Sequence, residues 1–252
     1  MTRALVRAVA AARPGLDVRP AYLDHAGPRP GEVLAAMAGI GHGDAGVVPL
    51  LLTAAYHGRV DLPAVLAAAR SDGLTLPVRM TDVLGPVGGV TPAPLVAALR
   101  RRLAESFSPR SRANPRGWTI KPPGFALDRG YDAVVLAAAG TRDAEARATV
   151  AEAAAGLGGA LGVPCLPGYA SAAAPTAGEA VTRLQAAGAR RVAVAAYFLA
   201  TGQLYRTAVD SARAAGAVAV AAPLADAPEL AHLILARLDH ATFAERGEMC
   251  AS

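Results

Sequence analysis

The sequence is poor in most residues that carry conspicuous chemistry. Its 252 residues include two cysteines, one tryptophan and five histidines, and Lys121 is the single lysine. Cys165 and Cys250 cannot form a disulfide framework, and their spacing matches no zinc or redox motif. Aromatic residues make up 4%. That leaves little for base-stacking platforms, and with no recognisable binding motif present, nucleic acid is not expected as a partner. No apolar run approaches the roughly 18 residues needed to cross a bilayer. There is no GxxxxGK[ST], no dinucleotide fingerprint and no serine-centred nucleophile elbow, so chemistry driven by a nucleotide is not expected either.

The chain is rich in alanine, valine and leucine, interrupted by 26 glycines and 19 prolines, with 53% hydrophobic residues and a mean hydropathy of +0.32. This composition describes a soluble protein with one large core or two ordinary ones. The formal charge of +5 is carried almost wholly by arginine. Arginine richness can follow genome base composition, but a positive surface also draws anionic ligands. The first residues, MTRALVRAVAAARPG, are basic and apolar. Arg3, Arg7 and Arg13 are spread through the stretch, which favours an amphipathic helix and a cytoplasmic protein; a mitochondrial-type presequence is the alternative.

A polar, basic stretch at 105–128 with four prolines keeps neither helical nor strand period and is read as a linker. It separates an α/β domain at 1–104 from a second at 129–241, with a tail at 242–252. On both sides short Val/Leu/Ala runs alternate with longer helical patterns, the signature of βα units around a parallel sheet. In the first half the patterns predict helices at 2–12, 31–38, 61–70 and 93–104, and strands at 16–22, 46–52 and 76–83. The second half predicts strands at 131–138, 163–169, 190–199 and 217–222, with helices at 143–159, 176–187, 203–215 and 227–238.

The two halves are related residue by residue. A shift of 147 places Tyr22 on Tyr169, Gly31 and Glu32 on Gly178 and Glu179, Val47 on Val194, and Leu52 on Leu199, with a small drift where 46-GVVPLLLT-53 is set against 191-RVAVAAYF-198. The fold expected is two homologous α/β domains. The same shift puts the counterpart of 131-YDAVVLAAAGTRDAE-145, a strand with its polar turn, upstream of Met1. The expectation is a late-starting gene model or a truncated product, because that strand would be interior and its loop would lie at the ligand-binding edge.

In 50-LLLTAAYHGRVDLP-63 a buried strand ends in a polar segment, and a helix opens with Asp61 as N-cap and Pro63 in its first turn. The carboxyl edge of an open α/β sheet is where ligands bind. Placement leaves two readings for His57, a ligand-facing imidazole or a hydrogen-bonded loop residue. As a functional group it could bind a borderline divalent metal or accept a proton, with Tyr56 and Arg59 orienting an anionic partner. No HxxxH or cysteine cluster accompanies it, so a metal site here would be open and transient. His25, His42, His232 and His240 are read as structural or solvent residues. The position matching His57 is Leu204. Two glycine-containing turns, 84-LGPVGGVTP-92 and 140-GTRD-143, could cradle an anion or simply turn the chain; Asp143 could cap a helix and Arg142 reach a carboxylate.

The run 47-VVPLLLTAAYHGRVDLP-63, with 82-DVLGPVGGVTPAPLVAAL-99 downstream, resembles the class II tetrapyrrole chelatases, specifically the long, two-domain sirohydrochlorin chelatases. The resemblance implies two flavodoxin-like domains facing a central cleft. It implies ATP-independent insertion of Co²⁺ or Fe²⁺ into sirohydrochlorin, in cobalamin or siroheme biosynthesis. The metal is then a substrate, no cofactor is tightly bound, the partner is an anionic tetrapyrrole, and the chain is expected to be a monomer. His57 matches the family's second catalytic histidine. The first belongs to an His-Gly-(Ser/Thr)-Arg loop expected upstream of Met1. That loop survives in the second half as 139-AGTRD-143, with Ala139 in place of histidine. On this resemblance His57 would ligate the metal and accept protons, Arg59 and Arg142 would bind the substrate's carboxylates, and Tyr56 would line the macrocycle. Asp61 and Glu32 would act behind the site or in structure. The alternatives are a non-catalytic tetrapyrrole- or metal-binding protein and an inactive product.

Overall fold

A computed structural model describes residues 2–23, 26–53, 61–107 and 130–241. The elements run α1 (Thr2–Ala12), α2 (Pro30–Gly39), β1 (Ala45–Val47), α3 (Leu62–Ser71), β2 (Val78–Met80), α4 (Ala93–Phe107), β3 (Ala133–Ala138), α5 (Ala144–Leu161), β4 (Cys165–Tyr169), α6 (Ala177–Ala186), β5 (Val192–Ala196), α7 (Gln203–Ala214), β6 (Ala219–Val220) and α8 (Pro228–His240). No helix among them is long and apolar enough to cross a membrane.

The second half forms a parallel sheet in the order β4-β3-β5-β6. Every residue of β3 and β5 is buried, because helices cover both faces of these uniformly apolar strands. The local signals are strong here. Asp143 accepts from the Glu145 and Ala146 amides at the start of α5, and Gly162 ends that helix at φ 65°. Thr176 and Glu179 form a reciprocal capping box at α6.

The first half repeats the pattern on a smaller scale, with β1 and β2 in a two-stranded parallel sheet. The hydrogen bonds hold the offset at 147 without the drift expected at 46–53. Tyr22 N–H donates to Pro28 O as Tyr169 N–H does to Pro175 O, both at 2.9 Å, and the acceptors Val47 O and Val194 O keep the same offset, while their donors, Thr81 N–H and Ala221 N–H, stand 140 residues apart. The expected strand at 16–22 does not form: these residues have neither helix nor strand and pair with no strand. Its second-half counterpart, β4, pairs with β3, and no strand among the described residues of the first half takes the place of β3. The same shortage of neighbours trims β1 and β2, and Pro49 removes a donor from the continuation of β1.

The last helix of each half packs on the other half. α4 lies over β5 and β6 and against α5, while α8 lies against α1 and α4. Gly46 in β1 makes room for this: a Cβ there would stand 2.2 Å from Leu238 Cδ1 of α8. Arg13 pairs with Asp239 at 2.7 Å, and Arg101 and Arg102 of α4 hold Glu229 and Asp226 at the start of α8. One continuous core therefore contains Leu5 and Val9 of α1, Leu95, Leu99 and Leu103 of α4, Val134 and Leu136 of β3, and Leu230 and Ile234 of α8. α4 runs three residues past its expected end at 104, held by the Arg101 and Arg102 pairs with Glu105 and by Phe107 stacking on Tyr131 at 5.4 Å. A smaller cluster of Leu34, Ala45, Leu66, Leu76 and Val78 joins α2 and α3 to the short sheet.

Candidate functional site

The chain that follows β1 meets the chain that follows β5 at the junction of the halves. Beyond β1 the chain stays tied to the segment after β2 through Leu84 N–H to Leu51 O at 2.8 Å, matched in the second half by Leu224 N–H to Phe198 O. Tyr197, at the end of β5, donates its hydroxyl across the junction to Leu52 O at 2.8 Å. Gly85 fits beneath the same carbonyl, and Arg237 of α8 donates to Gly85 O at 2.9 Å. Burial raises the Tyr197 hydroxyl pKa, with a further upward push from Glu152, so it remains a protonated donor.

Tyr56, His57 and Arg59 lie in 54–60, outside the described residues, as do Asp24 and His25. Asp61 precedes the first turn of α3 but makes no side-chain cap there. Its backbone is helical, φ −71° and ψ −44°, where a capping residue needs an extended conformation, and Pro63 offers no amide to cap. Glu32 closes back on the start of α2 by accepting from the Arg29 amide at 2.8 Å. Glu179, its counterpart, does the same with Thr176, so both acids share a helix-starting bond. Glu32 also lines a groove of about 580 Å³ between α2 and α3, with Leu23, Arg29, Ala35, Val65 and Asp72. Among the described residues no imidazole lines that groove, and its walls are mainly helix faces, which distinguishes it from the carboxyl-edge junction.

The loop after β3 is held firmly. Gly140 sits at φ +92°, and a Cβ on it would stand 1.9 Å from Ser171 O. Ser171 N–H donates to Ala139 O at 3.1 Å, Asp143 N–H donates to Thr141 Oγ1 at 3.1 Å, and Arg147 donates to the Thr141 and Arg142 carbonyls. Arg142 is exposed on this rigid turn, without an ion pair among the described residues. Gly88 and Gly89, at φ 58° and 76°, turn a tight hairpin closed by reciprocal Val87–Val90 backbone bonds. Turn geometry accounts for those glycines, and Val87 and Val90 stand exposed on the hairpin.

Sequence reading missed Arg206. It is exposed on the first turn of α7, after β5, and has no ion pair among the described residues. The signal was available, because the shift of 147 that sets His57 against Leu204 also sets Arg59 against Arg206. Leu204 itself is 44% exposed. Two of the described histidines have local partners: His42 Nε2 lies 3.0 Å from Asp17, and His240 Nδ1 lies 2.7 Å from Ala236 O. Burial pushes the Cys165 thiol up to about 12, so it offers no thiolate at neutral pH. Among the described residues, no three His, Cys, Asp or Glu side chains gather as a metal cage.

With this geometry in place, comparisons with known proteins are informative. The CbiX family model matches residues 1–106 and again 133–241. No curated protein matches the chain significantly. Among solved structures, SirB from Bacillus subtilis with Fe³⁺ superposes with a TM-score of 0.73 at 19% identity, over 94% of this chain and 87% of that one. The sirohydrochlorin chelatase SirB from Bacillus subtilis subspecies spizizenii, in complex with cobalt, gives 0.67 at 18% identity over the same shares. DR2241 from Deinococcus radiodurans, a multi-domain protein with structural similarity to chelatases, gives 0.61 at 19% identity, and the match covers 50% of its length. These likenesses establish the fold, two chelatase-like α/β units with parallel sheets.

Proposed function

The chain belongs to the CbiX family, and on that premise we propose that it inserts a divalent metal ion, Co²⁺ or Fe²⁺, into sirohydrochlorin without ATP. The observation that carries the reading is the family match across both halves, residues 1–106 and 133–241. Metal insertion exchanges two pyrrole N–H protons for one M²⁺ ion. A neutral imidazole can perform both parts, ligating the ion as it sheds water and accepting protons as the macrocycle closes on it. We assign both roles to His57 and place Tyr56 against the macrocycle face.

The carboxylates of sirohydrochlorin call for guanidinium groups, whose forked donors bind them bidentately. Arg59 and Arg142 fill this role in our reading, joined by Arg206. Arg142 and Arg206 follow neighbouring strands, β3 and β5, and neither is engaged in an ion pair among the described residues. Exposed Val87, Val90 and Leu204 lie on segments following β2 and β5 and supply apolar surface suited to a flat ring. The metal is a substrate in this scheme, no tightly bound cofactor is required, and the protein acts as a monomer.

A second reading is favoured by the absence of histidine at both Ala139 and Leu204, which leaves the second half without the imidazoles of its resemblance: a carrier that binds metal or tetrapyrrole without turnover. A multiple-turnover assay separates the two. With sirohydrochlorin and Co²⁺ or Fe²⁺ in excess, an enzyme makes metallated product beyond its own concentration and faster than the spontaneous reaction. Saturable binding that stops at one equivalent would reject insertion in favour of carriage.

A further inference from the structure

The two halves use the same backbone bonds at the carboxyl edge until one step, where they part. Val47 O and Val194 O each accept from the chain leaving the next strand, and so do Leu51 O and Phe198 O. One residue further, Leu199 O accepts from the Ala225 amide at 3.0 Å. Its counterpart, Leu52 O, instead takes the Tyr197 hydroxyl from the other half at 2.8 Å. The repeat offset puts Leu50 where Tyr197 stands, so the first half provides no hydroxyl to return the bond. The bond is one-sided, and it serves the half that retains the histidine.

Its setting is rigid. Tyr197 is 3% exposed and belongs to the continuous core of both halves. Gly85 adds a second constraint, since a Cβ there would stand 1.8 Å from Leu52 O and 3.0 Å from the Tyr197 hydroxyl. A carbonyl partly withdrawn from water is costly to leave unpaired, so such a bond restricts where the backbone can sit. Leu52 is five residues before His57.

We propose that Tyr197 is a positioning residue for the site: by holding the Leu52 carbonyl it fixes the backbone from which the chain continues toward His57, five residues on. The proposal rests on the metal-insertion reading. It differs from a general stabilising role because only the segment after Leu52 should respond.

The test compares full-length wild type, Tyr197→Phe and Thr91→Val. Thr91 Oγ1 also donates to a carbonyl of the other half, Glu152 O at 3.1 Å, and not to Leu52. Hydrogen exchange is read for peptides covering 50–60, and metal insertion is read as kcat and KM with sirohydrochlorin and Co²⁺. Tyr197→Phe should accelerate exchange in 50–60 and lower kcat by roughly tenfold to a hundredfold, with KM within about twofold of wild type. Thr91→Val should do neither. Wild-type exchange and kcat in Tyr197→Phe, or an equal loss of kcat in Thr91→Val, would overturn the proposal. A wild-type chain without turnover would reject metal insertion instead, and the exchange readout would still decide whether Tyr197 holds this segment.

Discussion

Replacing Gly85 by alanine should damage the junction of the halves more than any comparable change in a loop. Gly85 does not have a left-handed backbone, so its requirement for glycine is steric. Real Cβ atoms essentially never approach closer than 3.0 Å, and the one introduced here would lie 1.8 Å from Leu52 O, so the carbonyl must retreat by at least the difference, about 1.2 Å. The obstacle is backbone, and no rotamer relieves it. Such a movement breaks the 2.8 Å bond from Tyr197 and strains the 2.8 Å bond from Leu84 N–H to Leu51 O. Overpacking costs about 1–3 kcal/mol and leaving a part-buried carbonyl unpaired about 1 kcal/mol more, so about 3 kcal/mol in total is expected, or roughly 6–12 °C in Tm for a chain of this size. Gly159→Ala is the control. Gly159 lies inside α5 with nothing within 4 Å of a built Cβ, so alanine there should gain about 0.5–1 kcal/mol. Differential scanning calorimetry of the three proteins reads the outcome. A Gly85→Ala chain melting within about 2 °C of wild type would refute the steric reasoning.

Three further outcomes follow from the same structure. Arg142→Ala and Arg206→Ala should each raise KM for sirohydrochlorin roughly fivefold to tenfold with kcat nearly unchanged, as expected for loss of one exposed charge-assisted contact; steady-state kinetics with unaltered KM would remove them from the substrate site. Amides of α2 and α3, which rest on a small separate cluster, should exchange at least about 100-fold faster than those of α5 and α6, and uniform protection by hydrogen-exchange mass spectrometry would contradict this. The hydrogen bond from Arg102 holds Asp226 below its ordinary value of 3.8. A lowered carboxylate stabilises the folded state above that ordinary value and loses the effect as pH falls through its still lower folded value. Asp226→Asn should therefore cost up to about 1 kcal/mol near neutrality, since the Asp226 carboxylate is largely solvated, with the difference from wild type closing below pH 3.8; a constant difference in denaturant midpoints across that range would be inconsistent.

Much of the fold was legible because the second half obeys local rules. Six consecutive small or branched apolar residues at 133–138 announce a doubly covered strand, and Asp143, Thr176 and Gly162 mark helix boundaries where their cap geometry requires them. The repeat was equally legible, and the backbone bonds at Tyr22 and Tyr169 carry the same offset. The strand at 16–22 was misread because its alternating pattern says nothing about whether a partner lies beside it. The exchange of α4 and α8 escaped for a related reason: periodicity reveals which face of a helix is apolar, but not which sheet receives it. Asp61 shows that a residue suited to capping does not cap when its backbone is helical. Tyr197 and Gly85 were invisible individually, since their meaning arises only where the two halves touch. Arg206 could have been found by carrying Arg59 through the repeat alongside His57.

The central claim is that this chain inserts metal with His57. Its most direct test is the initial rate of the tetrapyrrole absorption change with sirohydrochlorin and Co²⁺, measured for wild type, for His57→Ala and without protein. Wild type should exceed the spontaneous rate, and His57→Ala should lose most of that increment while binding the tetrapyrrole with similar affinity. A His57→Ala rate equal to wild type, or a wild-type rate equal to the spontaneous one, would contradict the account.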